Sequence, residues 1–136
     1  MTTREDIESF LMRLDVDVEE VEEGFWLLKT PGNETPIVVN YTPPVLVLRI
    51  KVMDLPPDGR DDTRLAAFYR RLLELNATDI LHGSYGLDEQ KEVLSDAVEL
   101  EDLDFSELRS SYESLQLAAS GHMAGLAELI PVAQQG

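Results

Sequence analysis

The chain has 136 residues, with 27 Asp and Glu against 11 Lys and Arg, a formal charge of −16, and no cysteine. That length supports one domain, residues 1–136, with a real core and no metal or disulfide staple, and the missing cysteines exclude disulfides and thiolate chemistry. So acidic a surface repels phosphate backbones and anionic bilayers, which leaves no nucleic acid and no membrane among the expected partners and favours a basic or amphipathic protein.

The opening MTTREDIESF lacks the apolar run of a signal peptide, and no stretch reaches the ~20 apolar residues that cross a bilayer. A cytoplasmic protein is the expectation. Thr2 and Glu5 have capping-box spacing at the start of a short helix. Ile7, Phe10, Leu11 and Leu14 follow as one apolar stripe, with Met12 off it.

Residues 16–28 read as a hairpin. An acidic arm ends in Glu19-Glu20-Val21-Glu22-Glu23, Gly24 turns the chain, and Phe25-Trp26-Leu27-Leu28 returns as a strand. Charges on an outer arm block edge-to-edge aggregation, and four glutamates of unspecific spacing are a solvated face before they are a metal site. Pro31–Glu34 is a loop and Ile37–Tyr41 a strand. Pro43 and Pro44 then turn the chain, because proline cannot continue a paired central strand.

Val45–Met53 is the longest strand. Leu46, Leu48, Ile50 and Val52 share one face. Val45, Val47 and Met53 share the other with Arg49 and Lys51, so that second face is partly apolar and suited to another subunit or a ligand. Residues 56–62 form a polar loop without the spacing of a calcium site. Asp62 or Thr63 caps a helix carrying Leu65, Phe68, Tyr69, Leu72 and Leu75, with Leu73 also on its apolar end. Asn76, which tolerates the left-handed conformation, is expected just past its end.

Residues 83–87 and 93–100 pair as strands around a polar loop at 88–92. The next helix has the best local start signal in the chain. Asp104 caps, Glu107 completes the box, and Leu103 staples to Leu108. Its stripe runs Leu108, Tyr112, Leu115, Ala119, Met123, Leu126, Ile130. Gly121 and Gly125 each cost about 1 kcal/mol in a helix interior, so Gly121–Pro131 is expected to be a separate short helix or, with the frayed residues 132–136, a mobile amphipathic tail.

An enzyme needs a nucleophile, a base or a metal cluster. His82 and His122 are far apart in the sequence, and Ser84, on the strand face of His82, lacks an acid and an oxyanion donor. Trp26 and Tyr41 sit on strands, where aromatics more often fill cores than stack on ligands. Neither catalytic nor metal-ligating residues nor a cofactor are expected.

The order is helix, three strands, helix, two strands, helix. Its most specific parts are Leu72-Leu73-Glu74-Leu75-Asn76, then Gly83-Ser84-Tyr85-Gly86-Leu87-Asp88, then Val98–Asp104 before the last helix. This pattern resembles the class I type III secretion chaperones, and more closely the YbjN-like domains that share their fold. The resemblance implies an α+β fold with helices packed on a mostly antiparallel sheet. It implies a homodimer that holds a protein or peptide segment on apolar patches of the first helix and the sheet, for which Phe10, Met12, Leu14, Trp26, Val45 and Val47 are the candidates. The YbjN side implies instead a sensory-transduction regulator that binds a small ligand or a signalling protein.

Overall fold

A computed structural model describes residues 1–29, 35–54, 62–80, 82–88 and 91–129. The expected loops at 31–34 and 56–61, the tip of the 88–92 loop and the helix stop at Pro131 lie outside these residues.

Helix α1 (Arg4–Met12) leads into strands β1 (Asp17–Glu22), β2 (Phe25–Lys29), β3 (Ile37–Thr42) and β4 (Val45–Asp54). Helix α2 (Asp62–Thr78), strands β5 (Ser84–Asp88) and β6 (Lys91–Glu99), and helix α3 (Phe105–Leu129) follow. Both arms of the first hairpin are strands, so four strands precede α2 rather than three. The α+β class and the antiparallel sheet stand as expected. The single sheet runs β1-β2-β3-β4-β6-β5, with every neighbouring pair antiparallel.

Strand alternation decides what the sheet buries. Trp26, Leu28, Ile37, Val39, Leu46, Leu48, Ile50, Val52 and Leu94 form one face. Ile7 and Leu11 of α1, Leu65, Phe68, Leu72 and Leu75 of α2, and Leu108, Tyr112, Leu115 and Ala119 of α3 close over it. All three helices therefore share one side of the sheet, and the core lies between the two layers. α3 crosses β4 and β6 and packs beside α2, which lies against β5. Leu73 departs from the expected apolar end: it is 68% exposed, on the outer face of α2.

Local capping differs by one residue at the N-terminus. Thr3, not Thr2, caps α1, in a reciprocal box with Asp6. Thr2 is buried instead, and ties the chain start to the corner between β6 and α3. Its N–H donates to the Leu100 carbonyl and its hydroxyl to that of Leu103, each at 3.1 Å. At that same corner Asp104 and Glu107 form the expected box, with Leu103 and Leu108 buried beside it.

Asn76 is a second difference. α2 continues past it to Thr78. Its side-chain amide instead accepts from the Tyr85 N–H at 2.7 Å and donates to the Tyr85 carbonyl at 3.3 Å, fastening the edge strand β5. A third lies in α3, which runs unbroken through Gly121 and Gly125, with Leu126 buried below them.

Candidate protein-binding surfaces

The side of the sheet away from the helices carries the first candidate. Residues of the opposite parity line it: Phe25, Val38, Asn40, Val47, Arg49, Lys51 and Val93 enclose a groove of about 290 Å³. The register places Phe25 beside Asn40, Asn40 beside Val47, and Lys51 beside Val93. Val38, Val45 and Val47 are half-buried here with none of the described helices above them, while Val93 is buried. A solvated face of an antiparallel sheet is ordinarily polar; this one mixes aliphatic rows with two cations.

The second candidate is the end of α1. Phe10 and Leu14 are half-buried against the core edge, and Met12 is 70% exposed. Phe10 packs against Phe105 at the start of α3, ring centres 6.3 Å apart. Arg13 stacks over the Phe105 ring at 4.0 Å. At its other end α1 is anchored to the first hairpin. Arg4 contacts Glu20 at 2.9 Å, with Glu5, Glu8 and Glu23 within ion-pair reach, and Glu20 also accepts the Gly24 N–H.

The six expected contact residues therefore do not form one patch. Val45 and Val47 lie on the open sheet face. Phe10, Met12 and Leu14 lie on the helix side of the sheet. Trp26 is a correction: it is 1% exposed, because its parity in β2 points it under the helices, and it belongs to the core. Its neighbours Phe25 and Leu27 take the outward parity. The contribution of Phe25, Val38 and Val93 was readable only with the strand register in hand. That of Phe105 was not readable at all, since two helix ends distant in sequence create it.

A second cavity, of about 550 Å³, lies between α3 and the residues after α2. His122 is bridged there on both ring nitrogens, to Asp79 Oδ2 at 2.6 Å and to the Tyr85 hydroxyl at 2.7 Å. This chain of bonds joins the end of α2, the edge strand and α3. His82 lines the same cavity, its backbone held by the Ser114 hydroxyl. Ser84 faces a different one, with Arg49 and Ser95. Among the described residues no group of three His, Asp or Glu side chains is placed to hold a metal ion, and no helix is long and apolar enough to cross a membrane.

Comparison with known proteins bears on this architecture. The CesT_Tir_1 family profile matches residues 1–132. The chain belongs to the CesT_Tir_1 family. The match bears out the expected resemblance to the type III secretion chaperone family. Among solved structures, E. coli YbjN superposes with a TM-score of 0.69 at 14% identity, over 90% of this chain and 92% of that one. A chain of the heterodimeric ExoU–SpcU complex from the type III secretion system of Pseudomonas aeruginosa gives 0.61 at 13% identity, over 96% and 99%. One from the complex of the Yersinia pestis chaperone SycH with a stable fragment of YscM2 gives 0.57 at 20% identity, over 88% and 98%. No curated protein matches the chain in sequence. At such identities the structural likeness is one of fold.

Proposed function

We propose that this chain is a non-enzymatic, chaperone-like module that holds an extended segment of a partner protein. The observation that carries the reading is the sheet face away from the helices, where half-buried aliphatic rows at Val38, Val45 and Val47 lie on the parity opposite to the core, with none of the described helices over them. Apolar surface left in this way marks an interaction site. The relatives support it, since SpcU and SycH were each solved in complex with another protein. The end of α1, with Phe10, Met12 and Leu14, is the second contact. The chain acts as a single-domain homodimer in the cytoplasm on this reading, and light scattering should give twice the 15.3 kDa of one chain; a monomer at micromolar concentration would refute the dimer.

The decisive variant is Val47→Glu. A buried aliphatic side chain is worth about 1.5 kcal/mol or more, so a charge in its place should weaken partner capture at least about tenfold. Capture from lysate of the source cells is compared for both baits, with hydrogen exchange mapping the retained contact. Protection at Val38 and Val47, lost together with capture in the variant, supports the assignment. Equal capture by a folded variant removes the sheet face from the reading.

The likeness to YbjN favours a second reading, a regulator that binds a small ligand or a signalling protein. The cavity lined by Asp79, His82, Ser114 and His122 is its candidate site. A thermal-shift screen of metabolites tests it: a rise lost on His82→Ala supports it, and silence across a broad screen counts against it.

A further inference from the structure

The cations of this chain are outnumbered by carboxylates, and most of the described ones have found a partner. Arg4 meets four glutamates, Lys29 meets Glu19, Lys51 meets Asp54, and Arg70 and Arg71 share Glu74. Arg13 and Arg109 break the pattern. Neither has a carboxylate within ion-pair distance among the described residues, although both are exposed. Both sit instead over one ring: their guanidinium carbons lie 4.0 Å and 5.6 Å from the centre of Phe105.

Two like charges are thus held within about one Debye length, roughly 10 Å at 0.1 M salt. Each gains only a modest attraction to the ring face. A carboxylate placed beside both would relieve their repulsion, and the planar fork of arginine suits that group. Apolar surface surrounds the pair: Phe10 packs on Phe105, and Met12 adjoins Arg13 in the chain. Arginine and aromatic side chains on a partly buried base are the composition of an interface anchor.

We propose that Arg13 and Arg109, both gathered at Phe105, seat an aspartate or glutamate of an otherwise apolar partner segment. This deepens the protein-binding reading and rests on it. A polyanion does not fit. Two cations cannot outweigh the repulsion between a molecule of charge −16 and a long run of phosphates. A segment with one or two acidic residues among apolar ones incurs little of that repulsion and meets both arginines.

The test uses three fluorescein-labelled peptides that share one apolar sequence and carry Asp, Asn or Lys at two central positions. Fluorescence anisotropy measures their binding to the full chain and to Arg13→Gln/Arg109→Gln. Two exposed ion pairs together are worth about tenfold in affinity, so the Asp peptide should bind about tenfold more tightly than the Asn peptide. That preference should fall to within about twofold in the double variant and return in part in Arg13→Lys/Arg109→Lys, which restores charge without the fork. Unchanged circular dichroism keeps the comparison valid. Equal binding of Asp and Asn peptides to the unsubstituted chain overturns the proposal but leaves the protein-binding reading intact. The same preference in the double variant also overturns it. Failure of all three peptides to bind overturns both. Displacement of the Asp peptide by a short DNA duplex at micromolar concentration would reassign the site to phosphate.

Discussion

Gly83 shows how tightly single residues are specified. Its φ is +87°, and an added Cβ would stand 2.7 Å from the Ser95 carbonyl oxygen and 3.0 Å from Leu115. Both the backbone conformation and the space reject a side chain. Gly83→Ala should therefore lower stability by roughly 2–4 kcal/mol, combining backbone strain with overpacking. Urea unfolding measures this, and a loss below about 1 kcal/mol would contradict the geometry. Asp6 gives a pH signature. The Thr3 backbone N–H, with the Thr3 hydroxyl adding to it, holds the Asp6 carboxyl below the usual aspartate range. A lowered value in the folded chain means that this contribution is present above the unfolded aspartate pKa and is lost as pH falls through the folded one. The protection of α1 amides relative to their intrinsic exchange should fall on acidification over that window, and Asp6→Asn should flatten the dependence. At this scale the sequence was legible where a motif is local and self-contained, as at Asp104 and Glu107. It misled where a distant partner competes. Thr2 had the spacing of a cap, but the carbonyls of Leu100 and Leu103 claimed it.

Elements were more legible than their uses. Period and turn chemistry located all three helices and the strands. The reach of α2 and the continuity of α3 were decided by tertiary bonds that no local pattern carries. Asn76 has a polar, loop-prone side chain, and the fold spends it on the backbone of β5. That use protects an exposed edge: with Tyr85 satisfied, β5 offers a visiting strand fewer free groups. The other edge, β1, is guarded by Asp17, Glu19 and Glu22. Guarded edges direct a partner towards the sheet face, in keeping with the proposed contact at Val47. Asn76→Ala should cost about 1–2 kcal/mol, because it removes both side-chain bonds to the part-buried backbone of Tyr85. The Tyr85 amide should then exchange markedly faster than those of β4. Equal protection would show that the amide pair does not hold the edge. The candidate site was half legible at this scale. The parity of Val45 and Val47 in β4 was plain from alternation, whereas Trp26 was a contact candidate only through the family resemblance, and the structure gives it the core place that strand aromatics more often take.

The whole molecule is governed by its charge. Self-repulsion at −16 weakens the compact state, and salt screens it. The melting temperature should rise between low and moderate sodium chloride. Potassium chloride should act alike, since the effect is one of screening. A melting temperature that falls with salt would mean that ion pairs such as Arg4–Glu20 outweigh the net repulsion. Net charge was fully legible in the sequence. Its uneven distribution was not, because Arg13 and Arg109 meet only once α1 and α3 have docked.

The buried hydroxyl of Thr2 bears on the timing of synthesis. The chain emerges N-terminus first, yet the carbonyls that receive Thr2 belong to Leu100 and Leu103. β4 likewise pairs with β6, and β5 lies outside it. Until residue 99 leaves the ribosome, one edge of the longest strand is open, and until Leu103 follows the Thr2 bonds that fix the chain start are missing. A protein whose proposed work is to shelter unfinished segments of others passes through most of its own translation as such a segment. Ribosome-bound chains stalled after Asp88 should be cut readily by protease within β4, and those stalled well beyond Leu129 should resist. Equal resistance would mean that the first four strands hold together without β6.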